Sequence, residues 1–596
     1  MGGLVAWVQR GGAGVAESDG SGVADALTEA PGCALAGLAA LAASGRADVD
    51  TALLAIMRSP GLVFVADLAR LVGWPHDLAL DTWRREWCRS SVADASVWCT
   101  DEATFDTAYT AEREAWSAFG SALYLGLQPR RASTFGGACV QSGRTPLIAV
   151  VGSHSGLSIA ASDALAAALR GAGGDGPSLS FFGHWAWCQN VANCDEPLAL
   201  MFRDYQQDWA ETDDETNLER FEHLLGGLEN FLRGDDGAAG ARAPKELLSA
   251  DMILCTRPFV FCWLLRERWP GEAPPMLHYY SGPLLFDIPA AHKATVLRAF
   301  RQTVLESTSD VVVSSSVLQS AWMLAMAGVA VPHVRPHAAS LRNLYSAPVE
   351  RPRTLRAIVL RSTWIGTLMG DAFRSVLASL LPDRGLVDSL EVTWLRGDLF
   401  LSYKDIAAFH AAIFLPEQPD KLTFWEQYEM AMPLWLPSAD FWVRIHVIGE
   451  YRYSVFAQRW AEELPEGAAA AAACGLPEPV FFRSGDLSEL PLDAPAAAAF
   501  WFHLTDYSIF PHLHLFSSAA GLVSGLLSAD LAEISSRMAA FNEQTWRSSA
   551  AFYRSAYCVL TTGPATGTAK TPHFLRQPAS AGAWRDLCGA APGAVG

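Results

Sequence analysis

The chain has no C-x-x-C pair, no N-x-S/T sequon and no apolar run long enough to cross a bilayer. The 11 cysteines are odd in number and scattered, which predicts buried free thiols and excludes a zinc site or a disulfide framework. The few asparagines (190, 193, 217, 230, 343 and 542) all miss the glycosylation pattern, which leans away from a secreted glycoprotein. The apolar stretch 33–43 falls far short of the roughly 20 residues a membrane helix needs, and the first residues lack a signal-peptide core. Ala6 spoils the myristoylation pattern. A soluble chain without a membrane span is expected. The compartment is left undetermined, with the cytoplasm favoured and the Golgi or ER lumen allowed if an anchor precedes it. Positive charge is also scarce: 44 Lys and Arg face 63 Asp and Glu, a net charge of -19. Such a surface repels phosphate backbones and anionic lipids, so nucleic acid is excluded as a partner. A small anionic nucleotide needs local donors, such as a helix N-terminus or one Arg.

Several motifs are missing as well. There is no Walker loop, no G-x-S-x-G elbow and no H-E-x-x-H. The segment 171–176 spells G-x-G-x-x-G, but it follows a predicted helix and precedes a strand, the reverse of a dinucleotide fingerprint. The D-x-D formed by Asp48 and Asp50 sits in a helical region and not after a strand, so no metal is expected.

What remains is a globular composition, 51% hydrophobic and 18% charged, in 596 residues. That is too long for one core. The 21 Trp suit large cores, and rings also pack on the C–H faces of sugars. Residues 1–30 are Gly-, Ala- and Ser-rich, and 31–128 show helical apolar spacing without a chemical signature. From about 145 short β-rich runs alternate with helices. Strands are predicted at 146–151, 179–182, 251–256, 276–280, 310–314 and 333–336, with helices at 157–170, 259–269, 291–306 and 318–327. Residues 211–242 read as a surface helix and loop. After a Pro- and Arg-bearing linker at 338–354 the rhythm restarts. Strands follow at 356–360, 389–395, 412–415, 434–436 and 512–516, and helices at 366–381, 403–410, 422–430, 518–527 and 531–555. The segments 463–479 and 489–495 read as surface insertions. This alternation implies right-handed crossovers and parallel sheets covered on both faces. The expected organisation is an N-terminal helical extension (1–140), a Rossmann-like domain (141–345), a second one (355–555, with an insertion at about 440–500) and a flexible tail (560–596). Ligands of such sheets bind outside the strands' carboxyl ends.

Within 415–438 a strand ends, a helix carries Glu426, and Pro433 follows Glu426 by seven residues, opening the next strand. This resembles the donor-site signature of the GT-B class of nucleotide-sugar glycosyltransferases, in which a helix with a Glu leads through a Gly-x-Pro turn into a strand. The resemblance implies two Rossmann-like domains facing a cleft, and a Glu426 that accepts hydrogen bonds from ribose hydroxyls. It implies a UDP- or GDP-linked sugar as co-substrate, no other cofactor, and a glycan, protein or small-molecule acceptor. Ala431 stands where the family usually has Gly, and Glu417 lies one residue farther upstream than the paired glutamates of retaining members, so inversion and retention both stay open. Arg361, with Ser362 and Thr363, closes the first strand of the second unit, where such donor domains place a basic residue against the leaving diphosphate. Lys421 and Thr423 are nearby. In the first unit, Gly152-Ser153-His154-Ser155-Gly156 is a small-residue loop before a helix. His154, His184 and His278 are the candidates for the base that inverting members draw from this lobe. Asp506 reads as packing in an aromatic turn, and His512 with His514 as one face of a strand that lacks a third metal ligand. A catalytically silent scaffold and a sugar-nucleotide epimerase of the same fold are the alternatives.

Overall fold

The computed structural model describes Ser117, Gly120, Ser121, Tyr124 and residues 145–562, except 153, 171–175, 184–193, 196–213, 234–241, 258, 270, 282–283, 286–287, 343, 349, 361–367, 384, 396–400, 417–418, 444–463 and 478–499. The chain is α/β with two separate parallel sheets. In the first, β1 (Leu147–Val151), β2 (Ser178–Phe182), β3 (Cys194–Asp195), β4 (Met252–Cys255), β5 (Met276–Tyr280) and β6 (Asp310–Ser314) lie in the order β3-β2-β1-β4-β5-β6. In the second, β7 (Leu355–Val359), β8 (Leu390–Trp394), β9 (Ala411–Ile413), β10 (Leu434–Pro437) and β11 (His514–Phe516) lie in the order β11-β10-β9-β7-β8. Every pairing is parallel. Strands such as β4 and β5 are buried along their whole length, because helices cover both faces, and their near-unbroken apolar runs follow from that.

Among the described residues, six helices accompany the first sheet: α1 (Ser155–Arg170), α2 (Asp214–Arg233), α3 (Arg242–Ser249), α4 (Phe259–Arg268), α5 (Ala290–Glu306) and α6 (Val317–Ala327). The helix α6 starts because the Ser316 hydroxyl accepts from Gln319 N at 3.3 Å, and it stops at Gly328, whose φ of 65° suits glycine. All of α6 is buried. Beyond it come α7 (Leu368–Asp383), α8 (Tyr403–Ile406), α9 (Leu422–Glu429), α10 (Ala439–Val443), α11 (Pro465–Cys474), α12 (Asp506–Ile509), α13 (Ala519–Ser528) and α14 (Leu531–Thr562).

Both sheets reverse their winding direction once, and this creates a switch point in each. In the first it lies between β1 and β4, in the second between β7 and β9. Elements from beyond 360 touch the first sheet's helices at several places. A Cβ added to Gly156, in the first turn of α1, would lie 2.2 Å from Leu422 Cδ2 at the start of α9. Gln319 Nε2 donates to Asp420 Oδ2 at 2.5 Å. Residues of α14, Tyr553 and Ala556 among them, share a core with α1 and β4. Leu464 N donates to Met326 O at 3.0 Å, which joins the start of α11 to the end of α6.

Some sequence expectations need correction. Cys255 and Cys262 form a disulfide, and Cys474 and Cys558 are disulfide-bonded too, so these are not free thiols. Local geometry explains the first: β4 ends at Cys255, and the first turn of α4 returns Cys262 to within 6.4 Å, Cα to Cα. Residues 333–336 form no strand, only a single bridge between Ser314 and His333. His512 has φ 65° and precedes β11, so it does not share a strand face with His514. The segment 463–479 contains a helix, α11, docked on α6. Two short elements, β3 and α3, were not expected from the sequence. Among the described residues no helix is long and apolar enough to cross a membrane. The readings of 1–116 and 563–596 lie outside the described residues.

Candidate functional site

The switch point of the first sheet is tightly built. Gly152 follows β1 and donates its N–H to Phe182 O at 3.0 Å. A Cβ there would lie 1.8 Å from Thr256 Oγ1 and 2.6 Å from Ser158 Oγ, two hydroxyls that hydrogen-bond each other at 2.7 Å. Thr256 Oγ1 also donates to Val151 O at 3.1 Å. Glycine is required here because the ends of β1, β4 and α1 converge. His154 is exposed, and its Nδ1 accepts from Leu157 N at 3.3 Å, so the ring caps α1. In the neutral ring that bond leaves the proton on Nε2. The Nδ1 lone pair of His154 is thus turned to the helix. Ser153 lies outside the described residues, and Ser155 and Gly156 open α1.

The remaining histidines divide. His184 lies outside the described residues. His278 is the middle residue of β5, not its end, and is 1% exposed. Its Nδ1 lies 2.7 Å from the Tyr280 hydroxyl and its Nε2 3.9 Å from Asp310. Burial alone would raise the Asp310 carboxyl, but His278, Arg266 and Ser307 hold it down at about 2. This is a structural ion cluster inside the first core.

The switch point of the second sheet is where β7 and β9 part. Leu360 N donates to Ile413 O at 3.0 Å, and Arg361, Ser362 and Thr363 follow directly in the chain, outside the described residues. From β9 the chain enters α9 with Lys421 at its N-cap and Thr423 in its first turn, both half-buried. Glu426 is half-buried on the same helix; burial raises its carboxyl, and a hydrogen bond from Tyr403 opposes the shift. Tyr403, at the start of α8, is itself raised by burial and by Glu426. The turn that ends α9 puts Ala431 at φ 60°, and Pro433 precedes β10. A left-handed residue two positions before Pro433 is the geometry that a Gly-x-Pro turn provides, adopted here by alanine at a cost of roughly 1–2 kcal/mol.

One carboxylate on α9 was not singled out from the sequence. Glu429, 2% exposed, lies 2.9 Å from His337 Nδ1, 2.5 Å from Arg342 Nε and 3.4 Å from Arg335 Nη2. Burial would raise it, but His337, Arg335 and Arg342 hold it at about 2. His337 itself is lowered to about 4 by burial, which outweighs the pull of Glu429. The available signal was the alternation His333-Val334-Arg335-Pro336-His337, which sets basic groups on one side of an extended segment. Asp506 is 6% exposed and accepts from Trp425 Nε1 at 2.5 Å, in keeping with its reading as packing. No group of side chains able to hold a metal occurs among the described residues. Comparison with family models and with curated proteins finds no match to this chain.

Proposed function

We propose that the chain is a GT-B-type glycosyltransferase, which moves a sugar from a nucleoside diphosphate to an acceptor hydroxyl without a metal. The reading rests above all on one observation: the helix that follows β9 at the second switch point carries Glu426 and ends in a left-handed Ala431 before Pro433. Contact between Gly156 and Leu422 supports it, since this brings the first turns of α1 and α9 together from two sheets. The gap between the switch points is the cleft in this account. Glu426 takes the ribose hydroxyls, displacing or sharing the Tyr403 hydroxyl, and two donors there offset the burial that raises its carboxyl. Lys421, Thr423 and the segment Arg361–Ser362–Thr363 take the diphosphate. His154 donates to the acceptor or a phosphate oxygen, and His184 is the remaining candidate base. Closure of the lobes excludes water and limits donor hydrolysis.

Calorimetric titration with UDP- and GDP-sugars tests this. Glu426→Ala is expected to weaken binding at least tenfold while circular dichroism and the unfolding transition stay those of the parent. Unchanged affinity removes the assignment.

A further inference from the structure

The buried charges around Glu429 have no part in the sugar-transfer reading, yet they converge on its helix. Arg335 Nη1 and Nη2 donate to Thr545 Oγ1 and Asn542 Oδ1 on α14, each at 2.5 Å. Its guanidinium lies 5.1, 4.6 and 5.3 Å from the ring centres of Tyr428, Phe510 and Phe541. Asn542 Nδ2 in turn donates to Tyr428 O at 2.7 Å and Glu429 O at 3.3 Å, so α14 holds the carbonyl end of α9, where Tyr428 O also accepts from Ala431 N at 3.0 Å. The segment carrying Arg335, His337 and Arg342 joins the two sheets, and Ser340 N within it donates to Asp163 Oδ2 of α1 at 2.8 Å. One carboxylate thus ties α9 to the connecting segment, and through it to α1.

Apolar side chains of similar volume can match or exceed the stability of a buried ion cluster, but they do not fix direction. Donors from His337, Arg335 and Arg342 on one carboxylate fix both the position of α9 and its rotation about its own axis. Glu426 lies one turn before Glu429 on this short helix, so a rotation set at one is set at the other. We propose that Glu429 is the positioning residue of α9: held by Arg335, His337 and Arg342, it aims Glu426 and the helix start at the first sheet. For its ligand this rests on reading α9 as the donor helix.

The test uses the full chain with Glu429→Gln, which keeps the side-chain volume, and Arg342→Gln, which is milder because Arg342 is partly exposed. Hydrogen exchange of the amides of 422–427 is expected to rise at least tenfold in both, with β7, β9 and β10 unchanged. The Kd for UDP or GDP is expected to rise at least fivefold, although neither residue touches the nucleotide in the proposed site. Faster exchange in a chain that binds neither nucleotide, before or after substitution, supports the positioning role and sinks the donor reading. Faster exchange with nucleotide affinity held at the parent's value overturns the proposal. So does unchanged exchange in Arg342→Gln, whatever happens to the melting temperature. Should Glu429→Gln fail to fold, Arg342→Gln decides.

Discussion

Asp506 places an ionisable carboxyl where water does not reach. Burial pushes it up to about 7, Asp420 adds to that, and the Trp425 indole N–H and Arg335 pull the other way. Because the folded state holds this proton more tightly than the unfolded one, stability contributed by Asp506 falls as pH rises from roughly 4 to 7 and stays low above that. The span is worth about 4 kcal/mol. Asp506→Asn keeps an acceptor for the Trp425 N–H and removes the titration. It is expected to melt several degrees above the parent at pH 8 and near it at pH 5. An equal offset at both pH values excludes Asp506 as the source. Acid acts on other groups. Burial lowers His333 to about 3 and His337 to about 4, so each favours the folded state less as pH drops below 6.5, and Glu429, held at about 2, adds its loss as pH falls below roughly 4.5. Thermal stability should therefore peak near neutral pH.

At the scale of single elements, α9 and the turn after it allow a sharp check. Ala431→Gly relieves a left-handed alanine worth roughly 1–2 kcal/mol, against roughly 0.4–1 kcal/mol of added freedom in the unfolded chain. A net gain of between zero and about 1.5 kcal/mol in a denaturant titration is expected, whereas a loss means that the methyl packs better than the backbone suffers. Gly152→Ala goes the other way. Its methyl meets the Thr256 and Ser158 hydroxyls where they bond each other, and about 1–3 kcal/mol of destabilisation is expected, partly rescued by Thr256→Ala. Elements such as α6 and β5 could be read beforehand because the signal is local: an apolar run broken only by His278, or a Ser316 and a Gly328 at the two ends of one helix. The Glu426 helix and the Pro433 turn were legible for the same reason. Glu429 was not, since its partners lie 87, 92 and 94 residues away, and only tertiary packing selects the carboxylate they meet. Nor was the Cys255–Cys262 disulfide, whose spacing means little until β4 and α4 are placed.

At the scale of the whole molecule, the question is how independent the two sheets are. The chain between β10 and β11 includes α11, but α11 docks on α6 of the first sheet. Leu464 N supplies Met326 O, a carbonyl that the end of α6 would otherwise leave open. Gly467 sits so close that an added Cβ would be 2.4 Å from both Ala325 O and Met326 O. These are backbone atoms, so no rotamer relieves the clash. By contrast, the Gly156 contact meets the mobile tip of Leu422, and Gly156→Ala should cost little. Gly467→Leu must therefore push α11 off α6, exposing Leu464 and leaving Met326 O unpaired. About 3 kcal/mol is at stake, which corresponds to a fall of roughly 6–12 °C in Tm for domains of this size. The control is Gly475→Ala at the C-cap of the same helix, where φ is 62° but nothing lies within 4 Å, so only backbone strain is added. If α11 couples the sheets, calorimetry should show one transition in the parent and in Gly475→Ala, and a broadened or split one in Gly467→Leu. A single, equally shifted transition in both variants means that α11 adds stability to one unit and does not join the two.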